Sequence, residues 1–334
     1  MSRISVLGDG SWACALAQSL SKNNHDVLLC GIDQERIDMI NNGNSFHFPN
    51  IKLSKSIRGT VSLEEIASFS DDILIVLPSH AILATLEKLN KYITRPKTFI
   101  NASKGLEPHS LMRISEVVYE SIDIEKIKSY VLLTGPSHAE EVITGGLTSI
   151  SSISYNQKEA TRIQVMFSTN TFRIYTNDDL VGAELCGAMK NAMAIGAGIL
   201  DGRGCGDNAK AAFIVRSIHE MMRLGDKMGI SQETFIGLAG MGDAIVTCIS
   251  KHSRNRNTGE LIGQGMSVDE AVSSCNMVVE GIGSIKSIYR LSKQYNVSMP
   301  IISELYNIIY LGKNATDSVT ALMSRELKSE RIQS

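Results

Sequence analysis

The six cysteines, at positions 14, 30, 186, 205, 248 and 275, include no CxxC pair and have no histidine partner at ligand spacing. Thiols scattered without a framework suit a reducing cytoplasm, and no metal is expected. Excess positive charge is missing too: 33 Lys and Arg against 35 Asp and Glu are spread along 334 residues. A nucleic-acid partner would require a concentrated basic face, so none is expected. The first residues, MSRISVLG, read as a strand and lack the charged leader and apolar run of a signal peptide. The apolar stretch from Leu185 to Leu200 is too short, and too polar at its centre, for a transmembrane segment. A cytoplasmic protein is expected. No low-complexity tract or internal repeat interrupts the chain, and its length allows two domains, each with enough Leu, Ile, Val and Met for a core.

Hydrophobic periodicity divides the chain. ISVLG, HDVLLCGID, DDILIVLP, KTFINAS and YVLLTG are apolar runs of strand type, and most are followed by segments with helical spacing: SWACALAQSLSK, SHAILATLEKL, LMRISEVVYE and PSHAEEVI. Continuous apolar strands alternating with helices predict an α/β, doubly wound parallel sheet covered on both faces, whose ligands lie beyond the carboxyl ends of the strands. From Asp178 onward strand-like runs largely vanish and the spacing is helical, with Asn177 or Asp178 as the cap of the first helix. The boundary is expected near residue 180 with no Gly/Ser linker, giving domains 1–180 and 181–334 that share a tight interface.

The first strand-to-helix turn, GDGSWA, places Gly8, Gly10 and Ala13 in a GxGxxA arrangement. Gly8 permits the tight turn, Gly10 lets a pyrophosphate approach the backbone, and the helix start offers unpaired N–H groups. A dinucleotide is therefore the expected cofactor. Asp33 lies where the fingerprint places an acid for the ribose 2′-hydroxyl, a position that favours NAD. It equally suits a cap for the next helix, and Arg36 close by leaves NAD or NADP open. Three strand ends also draw attention: LPSH, ASKGLE with Lys104, and TGPSHAEE with Gly135, Pro136 and Ser137 ahead of Glu140 and Glu141. Lys104 reads either as a site residue or as a solvated loop lysine; His80 and His138 read as structural.

In LCGAMKNAMAIGAGIL, Lys190 is the one charge among sixteen residues. Burial would lower its pKa towards neutrality and fit it to move protons; alternatively its head reaches water from a buried helix. Asp243, in GLAGMGDAIVTC, could hold that lysine, bind a substrate hydroxyl or cap a helix. Ser253, Arg254 and Asn255 are consecutive donors near a helix start, with Arg256 behind them, which suits a phosphate dianion or a solvated basic loop. Glu280 sits between an apolar pair and a glycine.

Taken in order, VLGDGSWACALA, LPSHA, ASKGLE, GPSHAEEV, YTNDDLVGAELCGAMKNAMAIGAGILDG, GDNAKAAFI, GLAGMGD, SRNR and VVEG resemble the bacterial NAD(P)-dependent glycerol-3-phosphate dehydrogenases over essentially the whole length. The resemblance implies a Rossmann-type N-terminal domain followed by an all-helical domain of the 6-phosphogluconate dehydrogenase-like type. It also implies reversible reduction of dihydroxyacetone phosphate to sn-glycerol 3-phosphate for phospholipid biosynthesis. On matching positions it puts Ser11, Trp12, Ala139, Val278 and Glu280 at the cofactor and Lys104 between cofactor and substrate. Gly135, Ser137, Asp243, Ser253, Arg254 and Asn255 fall at the substrate, with Arg254 also near the cofactor and Lys190 as proton donor and acceptor.

The chain departs from that pattern at Asp9, where the family often has Ala, at His138, often Phe or Tyr, and at Ile32, often Arg. The last weakens NADP preference, and Asp9 would repel cofactor phosphates. Apolar helices in the second half make a homodimer the expected assembly. Competing readings are another β-hydroxyacid or sugar-phosphate dehydrogenase of the same plan, and a non-catalytic NAD(H) sensor.

Overall fold

A computed structural model describes residues 2–275, 278–327, 329 and 330. Eight strands form one sheet: β1 (Arg3–Leu7), β2 (Asp26–Cys30), β3 (Ile57–Thr60), β4 (Asp72–Ile75), β5 (Lys97–Asn101), β6 (Ile127–Thr134), β7 (Thr148–Ile153) and β8 (Phe172–Asn177). Between them run α1 (Ser11–Lys22), α2 (Gln34–Asn41), α3 (Leu63–Phe69), α4 (Ser79–Asn90), α5 (Ile114–Ser121), α6 (Ala139–Thr144) and α7 (Gln157–Phe167). The strand order is β3-β2-β1-β4-β5-β6-β7-β8. Period-two alternation loads both faces. Ile4, Val6, Val27, Leu29, Leu74 and Ile100 bury into one apolar cluster, and Leu7, Leu28, Cys30, Ile73, Ile75 and Phe99 into the other.

The five strands that the alternation predicts, β1, β2, β4, β5 and β6, are parallel, and so is β3, which it does not show, but β7 pairs antiparallel with β6 and β8 runs parallel to β7. Helix length accounts for the reversal. The six residues of α6 advance about 9 Å, whereas the eight residues of β6 advance about 26 Å, so α6 cannot return the chain to the start of the sheet. By contrast α7, eleven residues long, returns the chain past the six-residue β7, and the parallel direction resumes. Because β1 pairs with both β2 and β4, the order reverses at the carboxyl end of β1, where a ligand crevice forms in such sheets.

After β8 come helices alone: α8 (Leu180–Gly202), α9 (Asp207–Lys227), α10 (Gln232–Ile236), α11 (Asp243–Ile249), α12 (Arg254–Gly263), α13 (Val268–Ser273), α14 (Glu280–Gln294), α15 (Pro300–Leu311) and α16 (Ala315–Met323). The cap of α8 is Asp179, not Asn177 or Asp178. Its Oδ1 accepts from Gly182 N at 2.9 Å, while Asn177 Oδ1 instead accepts from Asp179 N at 2.9 Å. Nearly every residue of α8 from Leu180 to Leu200 is buried. Its first turns are tied to the sheet layer by Glu184, whose carboxylate accepts from Ser115 N at 2.8 Å, Ser115 Oγ at 2.6 Å and Tyr130 Oη at 2.8 Å. Its second half lies backbone to backbone on α12: a methyl group at Gly198 would collide with the Arg256 carbonyl, and one at Gly259 with the Ile195 carbonyl. Among the described residues no single helix is long and apolar enough to cross a membrane.

Candidate active site

The glycine-rich turn follows β1. Gly8 has φ +125 and donates its N–H to Cys30 O at 2.8 Å, and a side chain there would strike the Val76 carbonyl. Gly10 occupies the cap position of α1 without any side-chain cap, and nothing lies within 4 Å of where its Cβ would be. The first turn of α1 contains no acid. Its leading N–H groups, which no intrahelical carbonyl can satisfy, are suited to an anion. Trp12 Nε1 and Asp9 Oδ2 nearby are buried and have no hydrogen-bond partner in the described structure. The cradle and its unpaired polar atoms fit a dinucleotide.

Asp33 caps α2: its Oδ1 accepts from Glu35 N at 2.9 Å and Arg36 N at 3.4 Å, and Oδ2 lies 3.5 Å from Arg36 Nε. The side chain remains 45% exposed beside the end of β2, so the cap leaves it within reach of solvent. Ala139 opens α6, which packs on α1. His80 is exposed at the start of α4, and Ile32 is fully exposed.

Lys190, from the middle of α8, is 4% exposed, and its head does not reach bulk water. Nζ donates to Asp243 Oδ1 at 2.5 Å and to Thr247 Oγ1 at 3.2 Å. Asp243 is the first residue of α11, entered through a π-helical turn at Leu238–Gly242. Its second oxygen accepts from Lys104 Nζ at 2.9 Å, so one carboxylate joins lysines from the sheet layer and the helical layer. Thr247 Oγ1 donates back to Asp243 O at 2.6 Å, holding the first turn of α11. Desolvation pushes the Lys190 pKa down to about 7, with Asp243 opposing and Lys104 reinforcing the shift. Burial pushes Asp243 up, but the two lysines outweigh it and hold the carboxyl below its ordinary value.

The loop after β6 closes over this group. Ser137 Oγ donates to Gly135 O at 2.9 Å, and Pro136 packs beside Gly242, next to Asp243. His138 stands at the cap of α6, 6.0 Å from the His252 ring, its pKa lowered by burial and then by Lys190 and Lys104. Ser253 caps α12, accepting from Arg256 N at 3.3 Å, and thereby places Arg254 and Asn255 in the first turn. Arg254 is exposed and donates to Val278 O at 3.2 Å. Arg256 points elsewhere: it pairs with Asp201 at 2.5 Å and Glu260 at 2.9 Å, fastening α12 to α8. The geometry thus separates Arg256 from the Ser253–Asn255 cluster.

Asn191 and Thr247 belong to the site and were not among the residues expected from the sequence. Asn191 Oδ1 accepts from Asn255 Nδ2 at 3.1 Å, while its Nδ2 donates to Glu280 Oε2 at 3.2 Å. Asn255 Oδ1 in turn accepts from Gly281 N at 2.9 Å. Burial raises the pKa of Glu280, against the pull of Arg254, Lys190 and Lys104. A signal existed for Asn191, the second polar side chain in the apolar core of α8. Consecutive residues on a helix face about 100° apart, so Lys190 turns to α11 and Asn191 to α12 and α14. Thr247 is legible only once Asp243 is known to begin a helix, four residues being one turn.

Two family models match the chain: the NAD-dependent glycerol-3-phosphate dehydrogenase N-terminus over residues 3–160 and its C-terminus over residues 179–320. The Bacillus pumilus glycerol-3-phosphate dehydrogenase [NAD(P)+] is 45% identical over 327 residues, covering 97% of this chain and 95% of that protein. A Bacillus cereus protein of the same name is 46% identical over 332 residues, covering 99% and 98%. The crystal structure of glycerol-3-phosphate dehydrogenase from Coxiella burnetii superposes with a TM-score of 0.92 at 32% identity, covering 97% of this chain and 99% of that one. The chain therefore belongs to the NAD(P)-dependent glycerol-3-phosphate dehydrogenase family.

Proposed function

We propose that the chain reversibly reduces dihydroxyacetone phosphate to sn-glycerol 3-phosphate, the backbone of glycerophospholipids, with Lys190 as proton donor and acceptor. The observation that carries this reading is the enclosed Lys190–Asp243–Lys104 group beside the donors of the α12 N-terminus. Residues 1–180 are assigned to cofactor binding and 181–334 to substrate binding. Gly8, Gly10, Ser11 and Trp12 would hold the pyrophosphate half of NAD or NADP. Asp33, Lys104, Ala139, Arg254, Val278 and Glu280 complete the cofactor contacts. When bound, the reduced nicotinamide supplies the hydride for the carbonyl carbon.

Arg254 and Asn255, led by the Ser253 cap, offer a guanidinium fork, an amide and helix N–H groups to the substrate phosphate. Gly135 and Ser137 are assigned to the substrate as well, on the loop whose Pro136 packs beside Gly242. As negative charge grows on the carbonyl oxygen, Lys190 delivers a proton to it, while Lys104 stabilises that charge and Asp243 fixes both ammonium groups. In the oxidative direction neutral Lys190 accepts the hydroxyl proton. Asn191 and Thr247 act as positioning residues through Asn255 and Asp243.

The apolar side chains left exposed on the helical half, Ile236, Ile249 and Leu311 among them, support a homodimer, and the free thiols support a cytoplasmic location. The test mixes purified protein with dihydroxyacetone phosphate and NADH or NADPH and follows nicotinamide absorbance. Consumption that requires the triose phosphate supports the reading. Absence of consumption with either cofactor, from protein that binds them, would favour the sensor or another hydroxyacid substrate.

A further inference from the structure

We propose that Asp9 selects the cofactor, presenting a second carboxylate to the adenosine ribose beside Asp33 and so making this enzyme specific for NAD(H) over NADP(H). The inference rests on the reading of the glycine-rich turn as the dinucleotide cradle and goes beyond it, since that reading leaves the choice of cofactor open.

Asp9 lies between the two glycines of the turn, and its side chain reaches across to the end of β2. A methyl group on Gly31 would sit 2.8 Å from Asp9 Oδ2, 2.9 Å from Cγ and 3.1 Å from Cβ. The carboxylate therefore fills the space that glycine leaves at position 31, directly after β2. Its Oδ2 is buried and unpaired in the described structure. In doubly wound sheets the adenosine ribose sits over this strand end, its 2′-hydroxyl donating to an acid. A ribose hydroxyl would give Asp9 Oδ2 the donor it lacks, removing the cost of a buried unsatisfied oxygen. NADP places a phosphate dianion in the same position.

The surrounding charges do not offset the repulsion. Ile32, fully exposed between the two acids, brings no charge. Arg36 is already shared, its Nε 3.5 Å from Asp33 Oδ2 and its guanidinium carbon 4.6 Å from the centroid of the Phe46 ring. His47 stands near Arg36 and Asp9; burial, then Arg36, lowers its pKa, so it stays neutral at physiological pH. Asp33 thus already engages the Arg36 guanidinium before any 2′-phosphate arrives, and Arg254, which acts on His47 together with Arg36, Asp9 and Glu140, donates to the Val278 carbonyl.

The test titrates the purified protein with NADH and separately with NADPH in the absence of triose phosphate, following nicotinamide fluorescence at one ionic strength. Wild type, Asp9→Ala and the near-isosteric Asp9→Asn are compared. The wild type is expected to bind NADH at least about tenfold more tightly, and each variant to tighten NADPH about tenfold while NADH stays level or weakens. Equal affinities in the wild type would overturn the proposal. So would a gap that survives in Asp9→Asn, which keeps the shape and removes the charge. Binding of neither nucleotide would overturn it together with the cradle. With no substrate in the cell, the outcome is independent of whether dihydroxyacetone phosphate is the correct ketone.

Discussion

Lys190 Nζ lies 2.5 Å from Asp243 Oδ1, and the two residues are 4% and 1% exposed. A buried ion pair this close would ordinarily keep its lysine protonated. Here Lys104 takes the other oxygen of the same carboxylate, so two ammonium groups compete for one negative charge. That competition, added to desolvation, brings Lys190 to about 7.

The pH dependence follows. Oxidation of glycerol 3-phosphate requires neutral Lys190, so its kcat/KM rises with pH and levels off above about 7. Reduction requires the protonated form and falls above that value. Lys104→Met removes a cation that depresses Lys190, so both profiles move to higher pH. Initial rates in each direction across the pH range check this, and a Lys104→Met profile unmoved or moved downward would refute the assigned coupling.

Lys190→Ala should lower kcat by about 10²–10⁴ with NADH affinity unchanged, because the lost group acts on the reacting oxygen and not on the cradle. Steady-state rates and nicotinamide fluorescence separate the two effects. Near-native turnover by the folded variant would remove Lys190 from the mechanism.

Asp243→Ala leaves the buried ammonium of Lys190 without its counter-charge, a change that costs about 3–5 kcal/mol in comparable pairs. Asp243 raises the Lys190 pKa, so its removal lowers that pKa further below 10.5. The folded variant then binds fewer protons than the folded wild type. Its stability deficit therefore widens as pH falls through about 7 and narrows above it. Urea unfolding at about pH 6 and about pH 9 measures the difference; a deficit larger at the alkaline pH would contradict the sign.

Gly259→Ala drives a methyl group into the Ile195 carbonyl and forces α12 away from α8. Overpacking of this kind costs about 1–3 kcal/mol. Because Arg254 and Asn255 travel with α12, KM for dihydroxyacetone phosphate should rise. Thermal unfolding and substrate kinetics on the same preparation test both consequences.

Arg254→Ala should reduce kcat/KM for dihydroxyacetone phosphate about 10–100-fold, the worth of hydrogen bonds to a charged group. At saturating NADH, which removes the contribution of Arg254 to cofactor binding, unphosphorylated dihydroxyacetone, which has nothing for the guanidinium to hold, should react at the wild-type rate. An equal loss for both ketones would place Arg254 at the reacting centre and not at the phosphate.

The glycine-rich turn and α1 were legible because local physics sets them: a strand, a turn that only Gly8 can make, and a helix whose periodicity runs unbroken from Ser11 to Lys22. β3, β7 and β8 were not. β3 is four residues containing Arg58 and Gly59, and β7 is rich in Ser and Thr. β8 is an edge strand whose alternate residues face water. None carries the continuous apolar run of a strand covered on both faces. The antiparallel turn of β7 depends on the length of α6 relative to β6, a comparison between elements that no local window contains.

By itself the sequence determined the five apolar strands β1, β2, β4, β5 and β6, the change to helices after them, the glycine-rich turn, the family pattern and the anomaly of a lysine inside an apolar helix, because each is written in neighbouring residues. Only the tertiary structure decided that Lys190 shares Asp243 with Lys104, that Asn191 joins Asn255 to Glu280, that Arg256 braces α12, and that Asp9 lies on Gly31. These are contacts between residues remote in sequence. Electrostatic shifts and hydrogen bonds vary steeply with distance over a few ångströms, a range that chain packing sets and residue order does not.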